Sequence, residues 1–195
     1  MLDYRHSESD GYYEGSVISD FDFPGKLRNA KYDFLNLGIG YGITKYLTVQ
    51  AQIGYYLRKS EDFENEMFPD ALATGFGDLA LSVSHSVYRN AQKGIDLTPF
   101  VMVKFPVGKF DCENEGGKLP ISMQPSSGSY KYAGGLSFYS NLSKRWYLTF
   151  YGLYEYAQRI RSNNFDYQYG GLTYLNVAAF YELPKYFSFG GQVGY

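Results

Sequence analysis

Three ionisable side chains fall where strand alternation turns them to one common face: Asp78, Lys104 and Glu155. Around Lys104, the residues Leu97, Pro99, Val101, Val103 and Phe105 take one parity, and Thr98, Phe100, Met102 and Lys104 take the other. Around Glu155, the residues Trp146, Leu148, Phe150, Gly152 and Tyr154 alternate with Tyr147, Thr149, Tyr151, Leu153 and Glu155. Asp78 opens a run in which Leu79, Leu81, Val83 and Val87 alternate with Ala80, Ser82, Ser84 and Ser86. A hairpin centred near Asn90 to Lys93 sets Asp78 almost opposite Lys104, with Glu155 at the same height. A lone charge on a narrow polar face is costly, so these groups are expected to pair. Such a charged ring either braces the wall of a tube or selects what passes through it by charge.

The aromatic residues Tyr56, Phe100, Tyr147, Tyr151 and Phe180 carry the same parity as the charges. They are suited to stack on apolar or aromatic ligands, or simply to fill the interior of a small barrel. Catalysis finds little support. His85 has the opposite, apolar parity, and two residues from it stand Val83 and Val87, so no serine shares its face. His6 lies in a weak first strand. Asp111, Glu113 and Glu115 alternate around Cys112, and Glu61, Asp62, Glu64 and Glu66 cluster, but neither run has the calcium-loop spacing of an EF-hand. Gly108-Lys109 lacks the flanking glycines of a phosphate loop. The single cysteine has no disulfide partner within the chain, and no Cys/His cluster has zinc spacing. No cofactor or metal is implied.

Period two runs through nearly the whole chain. Leu35, Leu37, Ile39 and Tyr41 alternate with Asn36 and three glycines, and after a tight turn Leu47, Val49, Ala51, Ile53 and Tyr55 alternate with Thr48, Gln50, Gln52 and Gly54. Leu175, Val177, Ala179 and Tyr181 continue the pattern, as do Phe187, Phe189, Val193 and Tyr195. With a Gly-rich strand over 130–139 and a first strand near 2–7, about nine strands are expected, each of roughly 9–11 residues. Short connections fall near 43–46, 89–94, 141–145 and 183–185, and long ones near 8–29, 57–75, 107–129 and 157–171. The long ones hold Glu8, Asp10, Glu14, Asp20, Asp22, Asp70 and the two acidic runs. The short ones hold Lys45, Arg89, Lys93, Lys144, Arg145 and Lys185. Tyr41, Tyr46, Tyr88, Trp146, Tyr186 and Phe187 flank the short turns like a girdle at a lipid–water boundary.

A formal net charge of −2 argues against a nucleic-acid partner. No apolar run approaches the ~20 residues of a membrane helix. The decisive feature is the non-apolar face, which is built of Gly, Ser, Thr, Gln, Asn and Tyr with few charges. It would be a poor exterior for a soluble barrel and a good lining for an interior. The expected fold is therefore all-β: an antiparallel up-and-down transmembrane β-barrel forming a single domain over 1–195, with outer-membrane lipids on its apolar side. Nine is an odd number, and the last strand would run away from the periplasm. Both point to a chain truncated at its C-terminus and to a barrel of about ten to twelve strands.

The segments Thr74-Gly75-Phe76-Gly77-Asp78-Leu79, Tyr41-Gly42-Ile43-Thr44-Lys45-Tyr46-Leu47-Thr48, and Pro99 through Phe105-Pro106-Val107-Gly108 resemble the outer-membrane proteins named for the MetA pathway of phenol degradation. The resemblance covers most of 30–195. It implies a porin-like transport protein of the Gram-negative outer membrane that passes or binds small, aromatic or apolar molecules. The expected function is a channel or passive transporter without enzymatic activity. The alternatives are a structural or surface-interaction barrel whose acidic loops contact partners or divalent ions, and a lipid-modifying enzyme.

Overall fold

A computed structural model describes residues 1–9, 13–14, 17–18, 27–65, 67, 69–162, 165–183 and 187–195. Asp10, Asp20, Asp22, Glu66, Lys185 and Tyr186, and the side chain of Glu14, lie outside the described residues. Ten strands make the main sheet: β1 (Leu2–Ser9), β2 (Leu27–Gly42), β3 (Leu47–Phe63), β4 (Ala71–His85), β5 (Tyr88–Asn90), β6 (Ile95–Phe105), β7 (Lys131–Asn141), β8 (Trp146–Ala157), β9 (Leu172–Glu182) and β10 (Ser188–Gly194). Their order is β1-β2-β3-β4-β6-β7-β8-β9-β10, with the short β5 paired to β6, so neighbours in sequence are neighbours in the sheet. Among the described residues β1 and β10 are its edges.

Side-chain chemistry builds the short turns. Thr44 Oγ1 accepts from the Tyr46 and Leu47 amides, at 3.1 and 3.0 Å. Ser143 Oγ does the same for Arg145 and Trp146, at 3.3 and 3.2 Å. A hydroxyl at the second turn position thus replaces a backbone partner in both hairpins. The turn between β5 and β6 uses Asn90 Oδ1, which accepts from the Lys93 amide, and places Gly94 at φ +60°, where a side chain would be strained.

Two compact units divide the chain. One holds Gly40–Ala51, Ala80–Lys104 and Ser129–Tyr195. Here the register aligns one apolar face across five strands. Ile95, Leu97, Pro99, Val101 and Val103 of β6 stand beside Ser140, Phe138, Leu136, Gly134 and Tyr132 of β7. Those stand beside Leu148, Phe150, Gly152, Tyr154 and Tyr156 of β8. Ala179, Val177, Leu175 and Thr173 of β9 continue the face, and Gly191 and Val193 of β10 close it. The opposite face carries Thr98, Ser137, Thr149, Asn176 and Gln192 among glycines, aromatic rings and a few charges. A one-residue slip anywhere would mix the two. From Trp146 to Tyr156 the apolar face of β8 spans ten rises of about 3.3 Å. At a typical barrel tilt of about 40° that is a band roughly 25 Å tall, the height of the apolar belt of an outer-membrane barrel.

The other unit holds Met1–Ile39, Gln52–Leu79 and Phe105–Gly128. Its strands run longer than the sequence suggests: β2 has 16 residues, β3 has 17 and β4 has 15. Charges at Arg58, Lys59, Glu61 and Asp62 hide the alternation, but backbone strand geometry does not need apolar side chains and continues through them. Consequently Asp78 lies in the middle of β4 and does not open it. Exposure along β4 also changes parity. Leu72, Thr74 and Phe76 are exposed in its first half, and Leu81, Val83 and His85 in its second. The exposed face changes between Phe76 and Leu81.

The segment after β6 is not a solvated loop. It forms a hairpin of Glu113–Asn114 with Gly117–Lys118 and a 3-10 turn at Ile121–Met123. Leu119 and Met123 are fully buried against Ala71 and Ala73 of β4, with Tyr32 and Cys112 at the margin. Pro125 lies against Gly75 and Gly77, and Gly108 comes so close to the Phe76 carbonyl that no Cβ would fit. Phe76 points to the opposite side, where its ring meets Tyr55 edge-on at 4.9 Å. The segment is therefore folded onto the polar face of these strands, the face of Gly54 and Tyr56.

Apart from that packed segment, the buried apolar residues of the described chain are Ile160 and small alanines: Ala30, Ala71, Ala73, Ala133, Ala157 and Ala178. Leu37, Ile39, Leu81, Val83, Val101, Leu175, Val177 and Val193 are all exposed to the surroundings. A water-soluble sheet protein hides such residues, and so many exposed apolar side chains on paired strands call for a non-aqueous neighbour.

Candidate functional site

The polar face of the larger register-aligned unit brings Lys104 and Glu155 together, Nζ to Oε2, at 2.7 Å. Lys131 joins them, its Nζ 3.9 Å from Glu155 Oε1. Glu155 is only 7% exposed, so its carboxylate is buried among its neighbours while Lys104 stays partly exposed. Lys131 and Lys104 are direct cross-strand neighbours. The Lys131 ammonium also lies 4.5 Å from the centre of the Tyr169 ring. Sequence reasoning missed Lys131, although its odd parity with Ala133 and Gly135 was the available signal.

Asp78 belongs to the other unit and has different partners. Its carboxylate accepts from Ser126 Oγ at 2.6 Å, from the Ser127 amide at 3.0 Å and from Ser127 Oγ at 2.5 Å. Nearby, Lys59 donates to the Gln124 carbonyl at 3.1 Å. The Gln124 side chain accepts from the Cys112 amide and donates to the Cys112 and Leu119 carbonyls. Asp78 thus fastens the folded-in segment to β4. Burial pushes the Cys112 thiol up from its ordinary range.

The aromatic residues divide in the same way. Phe100 and Tyr151 stack at 5.3 Å with 12° between their planes, and Tyr174 meets Tyr151 edge-on at 6.1 Å. Tyr147 stacks on Tyr139 at 6.1 Å and is the register partner of Phe180. Tyr56, in the other unit, packs on Phe34 at 4.7 Å. Three phenylalanines of the polar faces lie over glycines of the neighbouring strand: Phe34 over Gly54, Phe100 over Gly135 and Phe180 over Gly190. The absent side chain leaves a flat seat on which the ring covers an otherwise bare backbone.

His85 is exposed, with its ring 6.5 Å from that of Tyr46 and edge-on to it. His6 Nδ1 and the Tyr4 hydroxyl both bond Asp33 Oδ1 at 2.7 Å. Among the described residues no group of three or more His, Cys, Asp or Glu side chains is placed to hold a metal ion.

No protein-family profile matches the sequence, and neither does any curated protein sequence. Among solved structures, the chain is similar to the crystal structure of the COG4313 outer membrane channel from Pseudomonas putida F1, with a TM-score of 0.69 and 18% sequence identity, over 99% of this chain and 69% of that one. The chain shares the fold of that protein, almost entirely antiparallel β-structure built around one large sheet.

Proposed function

We propose that this chain forms a channel of the Gram-negative outer membrane through which small molecules pass by diffusion or transient binding. The observation that carries the reading is the register-locked, two-faced wall. One face is apolar and bare across five neighbouring strands, and the other is lined by small polar residues, stacked rings and a few charges. Hydrocarbon accepts a sheet only when its backbone is paired and its outward side chains are greasy, and a polar reverse face then lines a water path. The likeness to a solved outer membrane channel supports the same reading. In the unit of Lys104, the charged side chains Lys104 and Glu155 and the rings of Phe100, Tyr147, Tyr151 and Phe180 would line that path. Permeants with aromatic or apolar bodies suit these rings, which agrees with the resemblance to the MetA-pathway proteins. The long connections would face outward and the short turns the periplasm.

Swelling of liposomes carrying the refolded protein, with solutes of graded size, tests the reading. Swelling that depends on solute size supports a channel. Swelling equal to that of protein-free liposomes for every solute overturns it.

A further inference from the structure

The turn between β5 and β6 and the turn between β7 and β8 stand side by side, because the Asn141 amide donates to the Gly94 carbonyl at 2.9 Å. Between them lies a notch of about 540 Å³, within the size range of ligand clefts, lined by Gln92, Lys93, Ile95, Asn141, Leu142 and Lys144. Its outline is set by the turns themselves. Asn90 Oδ1 accepts from the Lys93 amide at 3.0 Å, and Ser143 Oγ accepts from the Arg145 and Trp146 amides.

The notch carries charge of one sign only. Lys93 and Lys144 are exposed and pair with no carboxylate among the described residues, unlike Lys31, Lys104 and Lys131. No carboxylate lines it. The acidic groups of these strand ends, Asp96 and Glu182, have the parity of the opposite face, where Arg89 holds Asp96 and the Tyr147 hydroxyl holds Glu182, each at 2.6 Å. Ile95 has the parity of the apolar face, and Leu142, 62% exposed, continues that of Leu136 and Phe138. The register carries this face onward through Leu97, Phe138 and Phe150. Trp146, exposed on the same face, opens β8 directly after the turn. Such rings settle at a lipid–water boundary, which sets the notch at headgroup height.

Two unpaired ammoniums beside an apolar floor match a molecule with an anionic head and hydrocarbon tails. We propose that this notch binds the headgroup of an anionic phospholipid, with its phosphate on Lys93 and Lys144 and its acyl chains along Ile95, Leu97 and Phe138. The side-chain amides of Gln92 and Asn141 supply neutral donors to the remaining headgroup oxygens. The proposal rests on the membrane reading of the chain and is independent of passage through it. A zwitterionic lipid brings an ammonium of its own next to the two lysines, so the charge pattern favours phosphatidylglycerol over phosphatidylethanolamine.

The test is native mass spectrometry of the whole chain in detergent, offered equimolar phosphatidylglycerol and phosphatidylethanolamine. Phosphatidylglycerol is expected to bind in preference. Lys93→Gln and Lys144→Gln are each expected to weaken its binding roughly fivefold, as loss of one cation beside an anionic headgroup does, and Lys93→Arg and Lys144→Arg to retain it. Lys45→Gln, on a different short turn, is expected to leave it unchanged. Equal binding of the two lipids overturns the proposal. So does a loss in Lys45→Gln as large as in Lys144→Gln, which would leave only a diffuse positive rim. Displacement of phosphatidylglycerol by inorganic phosphate at equal concentration overturns the lipid assignment in favour of a free phosphate. Retained lipid preference in a protein that gives no liposome swelling supports the site while the channel reading fails. A chain that stays soluble and monomeric without detergent overturns the membrane reading and the lipid site with it.

Discussion

Phe100 lies flat on Gly135, so close that a Cβ on the glycine would collide with the ring as well as with the Gly152 carbonyl. The ring is held by the backbone it covers and by Tyr151 on its open side. Gly135→Val must expel it. The expected cost is about 1–3 kcal/mol, the usual range for overpacking. Equilibrium unfolding in urea with lipid vesicles measures it. Gly134→Val, one position along on the apolar face, meets only the distant Phe100 carbonyl and is expected to be nearly neutral. Equal losses for the two would show that the seat under Phe100 is not special.

Asp78 is expected to govern access to Cys112. Replacing it by alanine leaves the Ser126 and Ser127 donors without their carboxylate. Loss of a hydrogen-bonded charge of this kind costs about 2 kcal/mol, which raises the opening equilibrium of the segment roughly 30-fold. Iodoacetamide alkylation of Cys112, whose thiol burial shifts upward, should accelerate by a comparable factor. Unchanged labelling would mean that Leu119 and Met123 alone hold the segment down.

The two faces predict opposite tolerance for charge. Val101, 61% exposed and midway along β6, belongs to the apolar face. Val101→Lys is expected to destabilise the protein by about 2–4 kcal/mol in a bilayer. Ser137→Lys, from the polar face between Thr98 and Tyr151, should cost less than about 1 kcal/mol, since its charge stays off the apolar face. Vesicle unfolding curves for the pair would reverse this order if the sidedness were wrong.

Arg159 grips Asp166 with two hydrogen bonds, at 2.6 and 2.8 Å, across the small hairpin of Ile160–Ser162 and Phe165–Tyr167. The guanidinium holds the Asp166 carboxyl below the usual carboxylate range. Its folded value is therefore the depressed one. The contribution to hairpin order is present above the ordinary carboxylate range and is lost as pH falls through the folded value. Arg159→Gln should return the Asp166 titration, followed by carbon NMR of the side chain, to the ordinary range. A titration that stays depressed would assign the shift to another group.

Much of this architecture was legible because strand alternation is a local property. The parities of Leu97 to Phe105 and of Trp146 to Glu155 are enough to sort both faces, and the pairings join like with like. Two things were not legible. The first half of β4 hides behind Ala71, Ala73 and Gly75, which alternate too weakly to announce a strand, and the exposed parity changes between Phe76 and Leu81. The partners of Asp78 lie 48 and 49 positions along the chain, in a serine-rich segment that reads as solvated. Long-range closure of that kind depends on how the segment packs, on Leu119 and Met123 in particular, and no short-range period records it. Lys131 escaped notice for a related reason: it sits at the first residue of a glycine-rich strand, where parity has only just begun.

The scarcity of large buried side chains within the strands has a thermodynamic consequence. A water-soluble domain is driven together by collapse of its own greasy interior, so its stability belongs to the polypeptide alone. In a protein with the proposed function, the equivalent driving force is a transfer of the outer surface from water into acyl chains. Stability becomes a joint property of protein and host bilayer, and lipid chain length becomes as much a variable as any residue. Without that host the sheet has little to gain from assembling, and folding and membrane entry become one reaction.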